Sequence, residues 1–166
     1  MKFTWALGNI PEPDPTPYLP LLQRIAAPEE ESEVIDVLAK SAGLDSSLGD
    51  AGRSLQHFFV ELAPRLWRQQ QHRSLAVFHG ERIIGASVFM VQEEGPFQLA
   101  SGPCVLSEYR SRGLGSWLLQ SSLFELQNEG LKSVSGICKK YSVLAKYLYP
   151  KFGGVSVACE SSFIKG

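Results

Sequence analysis

The sequence predicts a single mixed domain of the α/β class, with an α+β mixed sheet that is mostly antiparallel. Its 166 residues suffice for one domain with a substantial core. Apolar patterns follow one another in the order β-α-α-β-β-β-α-β-α-β, with a further short β pattern at the end. A strand–helix–strand crossover inside an otherwise antiparallel series is typical of such a mixed fold.

The beginning of the chain predicts an arm ahead of the domain. Apolar residues alternate with polar or small ones between residues 2 and 7, which favours a strand. Residues 11–20 contain half of the ten prolines, so they form neither a helix nor a central strand. We therefore expect a Pro-rich arm over residues 1–20 that packs on the domain or on the partner subunit of a homodimer, and one domain over residues 21–166.

The following residues predict one strand and two helices. Residues 21–25 fit the strand, Pro28 suits the first position of a helix, and Gly43 can end that helix. The second helix is indicated by apolar residues at helical spacing between residues 55 and 66. Pro64 lacks an amide hydrogen, so we expect it to kink or divide this helix one residue earlier.

The middle of the chain predicts a three-stranded meander followed by a long helix. Residues 75–78 and 82–92 flank a turn and form a hairpin, and residues 97–106 add a third strand. A broad apolar face over residues 114–128 predicts the helix, which Gly130 caps. The remaining patterns predict a strand, a helix and two strands, over residues 132–138, 142–152, 155–160 and 163–165.

Composition limits the classes of function. Residues 1–60 hold four Lys or Arg against nine Asp or Glu, whereas residues 61–166 hold twelve against eight. This excess is too small for a nucleic-acid footprint but favours a small phosphorylated ligand in the second half.

No apolar run approaches the roughly 18 residues of a membrane span, and no signal-peptide pattern is present, so we expect a cytoplasmic protein that binds neither membrane nor nucleic acid. The three cysteines lack metal-ligand spacing, so no metal is expected.

Residues 105–116 (VLSEYRSRGLGS) predict an anion-binding turn between a strand and an amphipathic helix. Gly113 and Gly115 let the backbone approach a ligand without a Cβ in the way. The free N–H groups of the helix's first turn and the helix dipole face the same point, and Arg110 and Arg112 add positive charge. Such a concavity suits a pyrophosphate.

This segment also fits a plain tight turn that carries surface arginines. Two commoner nucleotide-binding motifs do not fit. No GKS or GKT follows the glycines as in a P-loop, and Leu118 stands at the third glycine position of a dinucleotide-binding GxGxxG turn. A coenzyme site of another kind and a plain turn therefore both remain open.

The stretch VLSEYRSRGLGSWLL at residues 105–119 resembles the hallmark V-x-P-E-Y-R-G-R-G-I-G-S-x-L-L of the GNAT superfamily of acyl-CoA-dependent N-acyltransferases. Further along, SVLAKYLYPKFGG at residues 142–154 matches the family's N-x-x-A-x-x-L-Y-x-x-x-G-F in spacing. The resemblance spans residues 74–154. It implies the GNAT-like acyl-CoA N-acyltransferase fold, and acetyl-CoA or another acyl-CoA as co-substrate.

The resemblance also implies roles for individual residues. One amide of residues 104–106, with Val105 preferred, would polarise the thioester carbonyl, and Pro103 is excluded because it has no amide hydrogen. Tyr149 would be the general acid that protonates the departing thiolate; alternatively, it packs on the coenzyme without proton transfer. The residues implied in coenzyme binding lie on the strand end, the turn and the last helix: Cys104, Val105, Leu106, Arg110, Ser111, Arg112, Gly113, Leu114, Gly115, Ser116, Ser142, Ala145 and Tyr149.

The acceptor amine must be neutral to attack, which raises the question of a base. Family members often place a Glu on the strand before the turn, but residues 97–106 hold no carboxylate. Glu93 is a weak base candidate that fits a solvated turn better, so a water chain or no dedicated base is preferred. The resemblance thus predicts acetyl transfer from acetyl-CoA to a small-molecule or protein amine, by direct attack in a ternary complex. The alternative is a catalytically silent acyl-CoA sensor or interaction module.

Three features depart from the family pattern. Ser142 stands where the motif has Asn, and Gly154 stands where it has Phe. Only 12 residues follow Gly154, too few for a full final hairpin. The N-terminal arm or another subunit would then complete the acceptor pocket.

Overall fold

A computed structural model of the chain describes residues 1–44, 48–95 and 97–157. Its strands are β1 (Lys2–Ala6), β2 (Leu22–Ile25), β3 (His72–His79), β4 (Arg82–Met90), β5 (Cys104–Val105), β6 (Ser133–Ile137) and β7 (Val155–Val157). Its α-helices are α1 (Glu31–Gly43), α2 (Asp50–His57), α3 (Ala63–Arg68) and α4 (Leu114–Asn128). The predicted mixed α/β class is confirmed.

The strands form two antiparallel groups that meet at Gln98 and Leu99. One group has the order β2-β3-β4-β5, and the other has the order β6-β1-β7. Leu99 joins them, because it bridges Phe89 of β4 in antiparallel fashion and Gly136 of β6 in parallel fashion. The parallel pairing within this otherwise antiparallel arrangement therefore arises where α4 connects β5 to β6.

The first strand of the chain is central to the second group. β1 lies between β6 and β7 and pairs antiparallel with both, with Phe3 opposite Gly136 on one side and Ser156 on the other. The alternation in the sequence buries Phe3 and Trp5, whose exposed fractions are 3% and 0%. The segment predicted as an arm therefore begins inside the sheet.

The rest of the arm runs along α4. The side-chain oxygen of Gln127, near the end of α4, accepts hydrogen bonds from the N–H groups of Gly8 and Ile10 at 2.8 and 2.9 Å. Near the start of α4, Tyr18 stacks on Trp117 with ring centroids 4.3 Å apart and planes 6° apart. The arm thus packs on its own domain, which was the first predicted alternative, and the homodimer stays a prediction.

The second predicted helix is divided as expected. A wide π-type turn, Phe58–Leu62, separates α2 from α3, whose first turn contains Pro64. Because proline lacks an amide hydrogen, the preceding turn widens instead of continuing the helix. The wide turn also rotates the apolar face, so that Phe59 is buried while Leu62 and Leu66 are about half exposed.

The prediction of one continuous strand over residues 97–106 is wrong. The N–H groups of Ala100 and Ser101 both donate to a single β4 carbonyl, which is the pattern of a bulge. Gly102 then takes a left-handed conformation with φ of 66°, and Pro103 has no amide hydrogen to continue the ladder. Only the two residues of β5 pair regularly with β4.

The helix α4 has the predicted bounds, and Gly130 caps it with a left-handed φ of 92°. The helix predicted over residues 142–152 is irregular: a wide π-type turn, Leu144–Leu148, is followed by a 3-10 turn, Lys151–Gly153.

β7 is the start of the strand predicted over 155–160, and the strand predicted over 163–165 lies outside the described residues. Among the helices described, none is long and apolar enough to cross a membrane.

Gly154 marks a close approach between backbone and side chains. A Cβ at this position would overlap the carbonyl oxygen of Tyr149 and lie 2.7 Å from Nε1 of Trp5. No side chain fits here, which explains why this chain has glycine where the second motif has Phe.

We predict that Gly154→Ala lowers the free energy of unfolding by about 3 kcal/mol, because overpacking forces the backbone to move. Urea denaturation measures the loss. The matched control is Gly43→Ala in α1, where the new Cβ meets only the end of the flexible Gln56 side chain and alanine favours the helix. Equal stability of the two variants would contradict the packing described for Gly154.

Candidate active site

The cleft opens where β5 and β6 part. The Leu99 N–H donates to the carbonyl of Ser135 at 3.1 Å, which holds the two chain segments together at one end. Past the bulge at Gly102, the chain continues to pair with β4 but no longer pairs with β6. The resulting cleft, about 1040 Å³ in volume, has Cys104 on one wall and Cys138 on the other. It continues to residues 109–116 and to α1 and α2.

Val105 points its backbone groups toward the cleft. The Leu106 N–H donates to the carbonyl of Ile84 on β4 at 2.9 Å. Because successive residues of a strand face opposite neighbours, the Val105 N–H faces away from β4. Its carbonyl does too, since it accepts a hydrogen bond from Arg110 Nε at 3.1 Å. The Leu106 amide is thus bound within the sheet, whereas Cys104 lines the cleft.

Residues 111–116 form a concave turn of backbone N–H groups. Ser111 and Gly113 both take left-handed conformations, with φ of 64° and 81°. In the described part of the chain, no protein acceptor receives a hydrogen bond from the N–H groups of residues 111–116. α4 begins at Leu114, so the positive end of its dipole faces the same space. This nest is suited to an anion.

The two glycines of the turn serve different purposes. Gly113 supplies the left-handed conformation that starts α4. A Cβ at Gly115, by contrast, would lie 3.1 Å from the Leu148 side chain. Gly115 therefore allows the turn Leu144–Leu148 to pack against the start of α4, rather than a ligand to approach.

The two arginines of the motif are engaged with the protein. Besides its bond to Val105, the Arg110 guanidinium donates from Nη2 to the carbonyl of Ser41 in α1 at 3.0 Å. Arg112 donates to the carbonyl of Glu108 at 3.4 Å. Their guanidinium groups therefore both bind backbone carbonyls of the protein.

Two lysines that were not predicted from the sequence, Lys139 and Lys151, line the cleft. Lys139 donates from Nζ to the carbonyl of Leu48 at 2.8 Å. Lys151 donates from Nζ to the Ser116 hydroxyl at 2.7 Å, beside the free N–H groups. The second motif leaves position 151 unspecified, so it gave no signal for Lys151. Since the contact joins residues far apart in the chain, no periodicity could have shown it.

Ser142 has a local role. Its hydroxyl donates to the carbonyl of Lys139 at 2.7 Å and accepts from the N–H of Ala145 at 3.3 Å. It thereby caps the turn that follows, as short polar side chains do at helix starts. Ser142 lines the cleft, whereas the buried Ala145 is not among the lining residues.

Tyr149 is enclosed in the core beside the cleft. Its exposed fraction is 0%, and it is not among the described lining residues. Its hydroxyl touches Gly102, on the bulge that leads to β5, and has no hydrogen-bond partner among the described residues. Burial raises the pKa of the Tyr149 phenol far above its ordinary value, and Cys138 and Cys104 raise it further. The role of Tyr149 as a general acid stays a prediction.

Glu93 lies at the far end of β4. Its carboxylate accepts a hydrogen bond from the N–H of Lys132 at 3.1 Å, next to β6. Its role as a base stays a prediction that this placement does not support. Within the described ranges, the cleft wall contains no Asp, Glu or His, and no cluster of three or more potential metal ligands is found.

Comparison with known proteins decides the family. The family model of GNAT acetyltransferases matches residues 45–153, which is more than half of the chain. The chain belongs to the GNAT acetyltransferase family. No curated protein sequence matches it significantly.

Solved structures agree with this GNAT fold. It is similar to a GCN5-related N-acetyltransferase from Rhodopseudomonas palustris at 14% identity and a TM-score of 0.54, over 66% of this chain and 68% of that one. It is also similar to a GNAT-family protein from Novosphingobium aromaticivorans at 15% identity and a TM-score of 0.56, over 94% of this chain and 59% of that one. These likenesses show the fold.

The cleft of this GNAT chain fits the acyl-CoA that the family uses. The free N–H groups of residues 111–116 suit a pyrophosphate, and the Val105 amide lies further along the same cleft. The unpartnered hydroxyl of Tyr149 lies next to the bulge between these strands. A buried hydroxyl without a partner destabilises the protein.

We predict that Tyr149→Phe raises the free energy of unfolding of the coenzyme-free protein by about 1 kcal/mol, because the variant removes a buried group that has no partner. Urea denaturation measures this. Tyr147→Phe is the control, since Tyr147 is 65% exposed and its hydroxyl can be hydrated, so no change is expected. A loss of stability in Tyr149→Phe would show that the hydroxyl has a partner.

Proposed function

We propose that the protein is an N-acetyltransferase that moves an acetyl group from acetyl-CoA to an amine by direct attack. The observation that carries this is the placement of two backbone sites in one cleft: the N–H groups of residues 111–116 and the outward amide of Val105. The first suits the pyrophosphate of the coenzyme and the second its thioester. Family membership supports acetyl transfer as the reaction.

In the proposed complex the coenzyme lies along the cleft from residues 111–116 to β5. The Val105 N–H donates to the thioester carbonyl and stabilises the negative charge that develops on its oxygen. The amine nitrogen forms the C–N bond, the C–S bond breaks, and the thiolate leaves. The excess proton of the amine passes to water, which agrees with the lack of a base among the described cleft residues.

Tyr149 would act on the leaving group as a hydrogen-bond donor. Its pKa is raised by burial, so the phenol holds its proton more tightly than a thiol does. Full proton transfer to the thiolate is then uphill, whereas donation of a hydrogen bond costs no buried charge. This favours the packed tyrosine over the general acid. Either role requires the buried hydroxyl to reach the cleft past Gly102.

The acceptor side of the cleft is apolar. Its walls carry Ala42 of α1, Ala51 and Leu55 of α2, and Phe58 of the turn that follows. Such a surface suits the hydrophobic body of an amine better than a second ammonium group. We therefore propose a small-molecule or protein amine whose reactive nitrogen is attached to an apolar group.

A second function deserves a test because Tyr149 is closed off from the described cleft surface. A catalytically silent acyl-CoA sensor would need the donor site alone. Both functions predict coenzyme binding, so only turnover separates them.

The donor site is tested by Gly113→Val, for which we expect at least about a tenfold loss of CoA affinity in calorimetry, because a β-branched residue strains the left-handed turn. Gly80→Val is the matched control. Gly80 has a similar φ of 62° in an exposed hairpin turn away from the cleft, so the strain is comparable and CoA binding should persist. Unchanged affinity in the folded Gly113→Val would refute the proposed donor site.

Turnover is tested by thiol release from acetyl-CoA in the presence of benzylamine or putrescine, which differ in the polarity of the body that carries the amine. We expect the higher kcat/KM for benzylamine, because the acceptor wall is apolar. A preference for putrescine would contradict the proposed acceptor class. Binding of acetyl-CoA without thiol release for any amine, peptide N-termini included, would favour the silent sensor.

A further inference from the structure

Lys151 holds its charge at an unfavourable place. Its ammonium lies 2.7 Å from the Ser116 hydroxyl, in the first turn of α4. A helix N-terminus carries roughly half a positive charge, so a cation there is repelled unless an anion is present. Among the residues that the structure describes, no carboxylate forms an ion pair with Lys151.

The backbone around Lys151 is fixed in a strained form. The next residue, Phe152, is left-handed with φ of 59°, which is uncommon for a residue other than glycine. The Lys151 carbonyl accepts a hydrogen bond at 3.1 Å from Nε1 of Trp5, which is fully buried. Strain of this kind persists where the surroundings hold it, and it clusters at functional sites.

The two arginines of the turn are placed differently from Lys151. Arg112 is exposed, donates to the carbonyl of Glu108 at 3.4 Å and is not among the described residues of the cleft wall. Arg110 is spread over the carbonyls of Val105 and Ser41 and the Ser41 hydroxyl, which ties it to β5 and α1. Lys151, by contrast, donates to one hydroxyl, that of Ser116. The other two protons of its ammonium group are then free to bind an anion.

We propose that Lys151 is a binding residue for the coenzyme pyrophosphate. It comes from the segment that packs against the start of α4, so that the ammonium and the N–H groups of residues 111–116 bind the same anion. The proposal rests on the proposed function and adds to it the charge that neutralises the phosphates. An ammonium suits this task because it is a compact charge with three donors.

The test compares Lys151→Met with the wild-type protein for three probes in calorimetry: CoA, dephospho-CoA and pantetheine. Because a charged hydrogen bond is lost, we expect affinity to fall about tenfold or more for CoA and dephospho-CoA, which both carry the pyrophosphate. Affinity for pantetheine, which has no phosphate, should not change, and Lys151→Arg should restore most of the loss. Lys146→Met is the control, because Lys146 is exposed on the preceding turn and outside the described cleft wall.

Three results would overturn the proposal. Unchanged CoA affinity would show that Lys151 does not bind the coenzyme. An equal loss for pantetheine would show a general change of the cleft. A loss for CoA with none for dephospho-CoA would assign the residue to the 3′-phosphate. If the wild-type protein itself binds no CoA, the proposed function fails instead.

Discussion

The buried indole of Trp5 is the interaction on which the cleft depends. It lies edge-on to Tyr149, with ring centroids 5.1 Å apart and planes at 83°, and its N–H binds the Lys151 carbonyl at 3.1 Å. Phe3, on the same strand, meets Tyr149 from the side at 5.5 Å. Removing a buried Trp side chain typically costs about 3–5 kcal/mol. β1, near the start of the sequence, therefore sets the position of residues 149–151, which lie far along the sequence.

This packing is transmitted to β5. Tyr149 presses its hydroxyl against Gly102, where the chain bends away from β6. The bend leaves β5 paired only with β4, so the outer side of Val105 is open. Because interiors are close-packed, a shift of Trp5 would pass through Tyr149 to the bulge. The position of the Val105 amide is thus a consequence of the aromatic packing behind it.

The elements that have strong local signals could be predicted from the sequence. The bounds of α4 could be read directly, because an apolar face lies between two glycines that start and end the helix. The break in residues 97–106 had a signal in Gly102 and Pro103, but the apolar residues on either side suggested a continuous strand. Bulges depend on which carbonyl the two donors share, and that carbonyl belongs to another strand.

Contacts between distant residues could not be predicted. The alternation in residues 2–7 indicated a strand but not its place between β6 and β7. An alternating apolar pattern shows which side chains are buried, but it does not show which strands are the neighbours. Lys151 gave no signal as a ligand for the same reason. The fold and the turn of free N–H groups at residues 111–116 were therefore predictable, whereas the groups that the tertiary structure brings to that turn were not.

The use of the motif's arginine follows from its chemistry. A guanidinium is a planar fork with several fixed donors, so Arg110 can bind carbonyls on two elements at once, whereas an ammonium acts as a point charge. Arg110 thereby joins Ser41 of α1 to Val105 of β5, two residues that line the cleft. One side chain of the motif therefore holds α1 in position relative to β5, on either side of the same cleft.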